Sequence, residues 1–377
     1  MRQHSEALLE VLRGSFTRRL LVNIVHGSDR VLQEQAFASW SLRADLGADV
    51  HQSGSGTVVY SSVEGETIAP VGTRGVLSPF RARIELVMEI SAGDFSERVL
   101  VGTYRVDKIP RSREYTATVN GQERVASVEV ETRFLSLEED VRRRGFRFPE
   151  TTIAGASCFD EIRRLTGMAV EETIEDRPAP EALVWEAKQG GRLEAVQDLA
   201  DALGGVPVVN SVGAWQVIPD EVGEPVAELW LGEQGTVLDV GNEIDTETVY
   251  NVVVGTFEDD TDQRNPIYAV AEVTTGDLAV DGLYGEHVRY YSSEYVHNQS
   301  DADTAVRSIL ALSVGSQQYE VPIQCHLNPL IELGDVVELK SKAIGGEATT
   351  LLRGRVVSLS MSDSPYMNVT LRVYRNL

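Results

Sequence analysis

The stretch Cys325-His326-Leu327-Asn328-Pro329-Leu330-Ile331-Glu332-Leu333-Gly334-Asp335-Val336-Val337-Glu338-Leu339 decides how the chain is read. Two β-type runs are separated there by the punctuation of a fixed turn. Pro329 fixes its own φ and pushes Asn328 out of the helical region. Gly334-Asp335 supplies a second tight turn. Val336-Val337-Glu338-Leu339 then reads as a strand at a partly buried sheet edge, with β-branched residues and one polar position. Asn328, Pro329, Gly334 and Asp335 are therefore structural turn residues at a junction between strands. By its residues alone the stretch displays no reactive group and fits an ordinary β-turn.

At 377 residues the chain is long enough for two or three domains, each with its own core. No run approaches the ~20 apolar residues that a membrane-crossing helix needs. The opening residues carry acids where a signal peptide would carry an apolar core, so synthesis and retention in the cytoplasm are expected. Cys158 and Cys325 lack any metal-ligand spacing and read as buried thiols in a reducing compartment.

The formal net charge is −24 and uneven. Residues 1–134 hold 16 basic and 17 acidic side chains, residues 135–224 hold 9 and 18, and residues 225–377 hold 9 and 23. Such a balance argues against nucleic-acid binding, which needs basic patches to neutralise phosphates. It is compatible with letting DNA pass without adhering, and equally with solubility alone.

Taken in order, residues 5–13 read as a short helix capped by Ser5, a docking arm. A hairpin follows, Leu20–Val25 and Arg30–Leu32 around His26-Gly27-Ser28-Asp29. Leu46–Thr57, with its glycines and serines, reads as a flexible loop. Arg83–Ile90 alternates cleanly, with Ile84, Leu86, Met88 and Ile90 on one face. Asn120-Gly121 is a strong hairpin signal leading into Val125–Phe134. Helices are expected from Ser136, from Ser157 and over Arg192–Leu203, the last with a stripe of Leu193, Val196, Leu199, Ala200 and Leu203 closed by Gly204. A hairpin over Val206–Pro219, strands from Ala227, a helix over Asp301–Ser313 and further strands to Tyr374 complete the pattern.

The expected fold is α+β and β-rich, with two β-barrel-like domains joined by a small helical α+β module. Residues 1–17 form the arm, 18–134 the first β-domain and 135–224 the module. Residues 225–258 and 317–377 form the second β-domain, with 259–316 an insertion carrying one helix.

No Walker loop, zincin pair, Cys/His metal spacing or dinucleotide fingerprint is present, so no catalytic, cofactor or metal residues are assigned and no enzyme is expected. Glu258-Asp259-Asp260-Thr261-Asp262 could hold a hard cation or be a solvated loop; it lacks the EF-hand glycine and glutamate. His26, His51 and His297 sit in loop-like surroundings, and His326 reads as a structural histidine. Tyr290, Tyr291 and Tyr295 would suit an aromatic carbohydrate platform or a strand's core and edge.

Several local patterns, in order, resemble the bacteriophage tail-tip or baseplate hub (minor tail protein) family. These are Leu77-Ser78-Pro79-Phe80 before the Arg83–Ile90 strand, Val101-Gly102-Thr103-Tyr104-Arg105-Val106, and the 192–203 helix followed by a hairpin and Ile218-Pro219. Tyr250-Asn251-Val252-Val253-Val254, Tyr284-Gly285 and the Asn328–Val337 run follow. The resemblance covers most of residues 70–377. It implies a structural virion protein at the tail tip, a homotrimer whose two β-barrels per chain make a ring of six joining a sixfold tube to a threefold tip. Implied partners are a distal tail protein, the tape-measure protein and receptor-binding or fibre proteins, with DNA only in passage. A tail-associated cell-wall hydrolase and a carbohydrate- or receptor-binding module remain the alternatives.

Overall fold

The computed structural model describes residues 1–62, 65–180, 184–232, 235–241, 249–257, 266–293, 299–315, 318–342 and 348–374. By its internal contacts the chain divides into two compact units. One comprises Met1–Val240 with Ile323–Leu371, the other Gly241–Pro322 with Arg372–Leu377. The fold is β-rich α+β, built on a large mixed sheet with several small helices. No described helix is long and apolar enough to cross a membrane.

The first unit opens with helix α1 (Glu6–Leu12), where the Ser5 hydroxyl accepts the Leu8 N–H at 3.3 Å and caps the helix. Six strands follow: β1 (Thr17–His26), β2 (Asp29–Asp45), β3 (Gln52–Ser61), β4 (Arg83–Ala92), β5 (Phe95–Val119) and β6 (Gln122–Ser136). In β4 the alternation holds, with Ile84, Leu86, Met88 and Ile90 all buried. Asn120 and Gly121 both take positive φ, 54° and 75°, as a two-residue hairpin turn between β5 and β6 requires.

The expected flexible loop over Leu46–Thr57 is corrected by β3, which pairs with β2 on one side and β6 on the other. Its glycines are there for close packing: a Cβ on Gly54 would run into the Phe134 ring and the Ser41 carbonyl oxygen, and one on Gly56 would come 2.5 Å from the Phe37 ring. Glycine weakens strand propensity, but here two aromatic rings occupy the space that side chains would fill.

Next come α2 (Glu138–Arg143), β7 (Glu150–Thr151), α3 (Cys158–Thr166), β8 (Val184–Trp185), α4 (Gly191–Leu203), β9 (Gly205–Val209) and β10 (Trp215–Pro219). Ser157 caps α3 by accepting the Asp160 N–H at 3.2 Å, and Gly204 ends α4 in the left-handed region at φ 83°. The α4 stripe of Leu193, Val196, Leu199, Ala200 and Leu203 packs with Phe159, Ile162, Leu165 and Trp215 into one apolar cluster.

After β11 (Ala227–Leu231) and β12 (Val237–Val240) the chain enters the second unit, with β13 (Val252–Phe257), β14 (Ile267–Glu272), β15 (Val288–Ser293) and α5 (Gln299–Gly315). It then continues through β16 (Gln318–His326), β17 (Val336–Lys342), β18 (Ala348–Ser362) and β19 (Tyr366–Tyr374). The large sheet has the order β1-β4-β5-β6-β3-β2-β18-β17-β11-β12-β16-β19, with additional pairings β1–β2 and β18–β19. It is mixed because β11 runs parallel to β17, Ala227 opposite Val337.

In the second unit β13 lies between β14 and β15, and one face of this sheet packs Val253, Phe257, Ala269 and Ala271 against Ala302 and Val306 of α5. Buried Asn251 fixes the connection between β14 and β15: its Nδ2 donates to the Leu278 and Gly285 carbonyls at 2.9 and 2.6 Å, and its Oδ1 accepts the His287 N–H at 2.7 Å. At the unit's two ends the Gly241 N–H donates to the Pro322 carbonyl at 2.7 Å. A Cβ on Gly241 would come 2.5 Å from the Pro322 ring.

Candidate functional site: the turn that seats the N-terminal arm

The four turn residues singled out in the sequence meet at one place, between the ends of β16 and β17. The Asn328 side chain accepts the Leu330 N–H at 3.0 Å, closing a local turn through its own carbonyl oxygen. Gly334 has φ 83°, and a Cβ there would lie 2.5 Å from Ile218 Cδ1 in β10. Both backbone and packing thus demand glycine. Asp335 Oδ2 accepts the Glu332 N–H at 2.8 Å, and the Asp335 carbonyl accepts the Val356 N–H at 2.8 Å.

The occupant of this turn is the N-terminal dipeptide. Arg2 is only 5% exposed. Its Nη1 donates to the Pro329 and Ile331 carbonyls at 2.6 and 2.8 Å, its Nε donates to the Val101 carbonyl of β5 at 3.0 Å, and its backbone N–H donates to the Leu330 carbonyl at 2.9 Å. Glu332 lies 3.6 Å from Nε and supplies countercharge. The Met1 amino group donates to Asp335 Oδ1 at 2.5 Å. Burial pushes the Asp335 carboxyl above the usual range, against the pull of that amino group.

A guanidinium is suited to this task because its planar fork reaches three carbonyls in fixed directions. The arrangement fastens β5 to the 327–335 turn. It presents no nucleophile, base or oxyanion donor to solvent, since the oxygens named are engaged in backbone and arm contacts. Beside it runs a groove of about 630 Å³ whose walls include Leu9, Leu12, Val226, Leu229, Trp230 and His326. The residue that anchors the N-terminal segment is Arg2. A lone arginine before a helix carries no periodicity, so sequence reasoning missed it.

A second buried polar centre joins β3, α2 and β9. Glu138 is fully buried; its Oε2 accepts the His51 N–H at 2.6 Å and its Oε1 accepts the Val209 N–H at 3.0 Å, with His51 Nδ1 also 3.0 Å from Oε1. His51 thus lies in the connection just before β3, as expected, but it is buried there and not solvated. His26 contacts the Val76 carbonyl at 2.8 Å, and His326 stands edge-on to the Tyr366 ring.

Cys158 and Cys325 are free and buried. Tyr290 is 78% exposed, whereas Tyr291 packs against Phe257 on the opposite face of β15. Adjacent strand residues cannot share a face. Tyr295, His297 and the Glu258–Asp262 cluster lie outside the described residues. Among the described residues no cluster of histidine, cysteine and carboxylate side chains could hold a metal ion.

No family model and no curated protein matches the sequence. Solved structures do match the fold. A tail protein from Neisseria meningitidis MC58 is 14% identical and aligns over 95% of this chain and 97% of its own, with a TM-score of 0.57. The 43 kDa tail protein of prophage MuSo2 from Shewanella oneidensis is 11% identical over 94% and 98%, also at 0.57. A chain of the Francisella PdpA–VgrG complex is 8% identical over 98% of this chain and 61% of its own, at 0.53. The chain shares its fold, over nearly its whole length, with phage tail proteins.

Proposed function

We propose that the chain is a structural protein of a bacteriophage tail, and that three copies form the hub that joins a sixfold tube to a threefold tip. The observation that carries this reading is the strand order. Strands β1-β4-β5-β6-β3-β2 return on themselves through the β1–β2 pairing, and β18-β17-β11-β12-β16-β19 through β18–β19. Each set of six is read as a barrel-like domain, the first from β1 to β6 and the second from β11, β12 and β16 to β19, and β2–β18 joins the two. Two such rings per chain, three chains to a hub, give the six positions that a sixfold tube requires. The likeness to two tail proteins over almost their full lengths supports the same reading.

The remaining parts take roles within it. Residues 135–224 form the module between the rings, and residues 259–316 an insertion. Arg2 and the 327–335 turn fasten arm and rings together, a task that fits a protein under load better than one that turns over substrate. Partners would be a distal tail protein, a tape-measure protein and receptor-binding proteins, in the virion at the tail tip. The acidic surplus of residues 225–377 would line the passage and keep DNA from adhering.

Light scattering of the purified chain across a concentration series tests the reading. A trimer of about 124 kDa, three times 41.4 kDa, is the expected mass. A monomer at every concentration that also binds no isolated tail tube would overturn it.

A further inference from the structure

The β5–β6 hairpin outruns its neighbours. β4 pairs with β5 only as far as Arg105, and β3 pairs with β6 only from Ser127 onward, with single further bonds at Val106 and Ala126. Among the described residues no strand covers either outer edge of the arm beyond those points. Its side chains are exposed on both faces, from Pro110 to Thr118 and from Asn120 to Arg124. A two-stranded ribbon with no buried face is marginal by itself, and its open edges are a template for another strand.

The arm is also charged against the trend of the molecule. Residues 108–126 hold four basic and two acidic side chains, which leaves 30 basic and 56 acidic elsewhere. The two carboxylates are engaged by hydroxyls: Thr67 donates to Glu114, and Thr116 donates to Glu123 at 2.6 Å. Among the described residues Lys108, Arg111, Arg113 and Arg124 form no ion pair. Arg111 and Arg113 stand opposite Glu131 and Glu129, and Arg124 stands opposite Ala117, so the three guanidiniums share one face.

We propose that this arm, Arg111–Ala126, docks on the acidic surface of a second copy of the same chain, an inference that rests on the trimeric reading above. Charge complementarity selects the partner: outside residues 108–126 a second copy presents 56 acidic against 30 basic side chains, an excess opposite in sign to the arm's. Like charge forbids pairing arm to arm. The contact is therefore head to tail, the kind that closes into a ring when the rotation per copy allows. Duplex DNA is the competing polyanion, and the test separates the two.

Full-length R111E/R113E is compared with the wild-type chain by light scattering and by DNA binding, with thermal melting as the folding control for these exposed sites. The expected result is self-association weakened about tenfold or more, at an unchanged melting temperature. In parallel, ¹⁴N- and ¹⁵N-labelled R111K/R113K chains are mixed and treated with a carbodiimide, which joins amines to carboxylates in contact. Cross-links between residues 108–126 of one isotope and an acidic peptide of the other are expected. A wild-type trimer unaffected by charge reversal and without such cross-links overturns the docking and leaves the trimer standing. DNA binding lost on charge reversal with self-association unchanged overturns it in favour of nucleic acid. A monomeric wild-type chain at every concentration overturns the docking, and the hub reading falls with it when that monomer also binds no isolated tail tube.

Discussion

Gly54 in β3 lies directly under the ring of Phe134, its register partner in β6, so close that a side chain at position 54 would overlap the ring. The strand most easily taken for a loop is thereby locked at the centre of the first set of strands. Gly54→Ala must push Phe134 off its packing against Tyr104, whose ring centroid is 4.9 Å away. A loss of about 2–3 kcal/mol in urea unfolding is expected, as for overpacking in a dense core. An unchanged midpoint would show that β3 does not pack this way.

Arg2→Ala leaves the Val101, Pro329 and Ile331 carbonyls without their shared donor and Glu332 without its nearest cation. The cost should be about 3 kcal/mol, the range for charged hydrogen bonds lost from a buried site. Arg2→Lys keeps the charge but cannot span three carbonyls, and should fall between the two. Denaturant titration of the three proteins measures this; equal stability of Arg2→Lys and wild type would show that charge alone holds the arm.

Of these features the sequence disclosed those that repeat or punctuate. The alternation of Arg83–Ile90, the Asn120-Gly121 turn, the Ser157 cap and the α4 stripe each follow from one local rule, and each is present in the structure. The turn residues Asn328, Pro329, Gly334 and Asp335 were legible as a turn for the same reason. What they receive was not, because Arg2 meets them across more than 320 residues of chain. Ser53–Gly56 misled because glycine signals both flexibility and close approach, and only the position of Phe134 separates the two. Nothing local to the helix start at Ser136 marks Glu138 as buried; its carboxylate is held by the N–H groups of His51 and Val209, which no spacing connects to it.

The thiol of Cys325 is pushed up to about 12 by burial. Thiolate is the reactive form, so at pH 8 the native protein should not react at this site with an aromatic disulfide reagent. Cys158 is raised by burial as well, with Asp176 adding to it. Two thiols per chain should appear only on unfolding, read by the absorbance of the released thiolate. Prompt labelling of the folded chain would contradict the packing around β16.

Asp335 gives a pH signature of defined sign. Its folded value is raised, so the native state holds that proton more tightly than the unfolded chain does. This contribution is present below the ordinary carboxylate value near 4 and is lost as pH rises through the folded value. Asp335→Asn removes it. The stability difference, wild type minus variant, should therefore grow on acidification through that window and stay flat above it, as urea midpoints over a pH series would show. A difference independent of pH would place the carboxyl in water.

The bond from the Gly241 N–H to the Pro322 carbonyl has a bearing on how such a chain can change over generations. The whole of Gly241–Pro322 leaves and rejoins β12 and β16 through one doorway, where the register already holds Val240 opposite Ile323. Lengthening, shortening or exchanging what lies beyond that doorway alters a closed loop whose ends do not move, at an entropic cost that grows only slowly with its length. The second unit is thus a cassette. A lineage could swap its part from Val252 to Gly315 to meet a new neighbour while the strands of the large sheet stayed as they were.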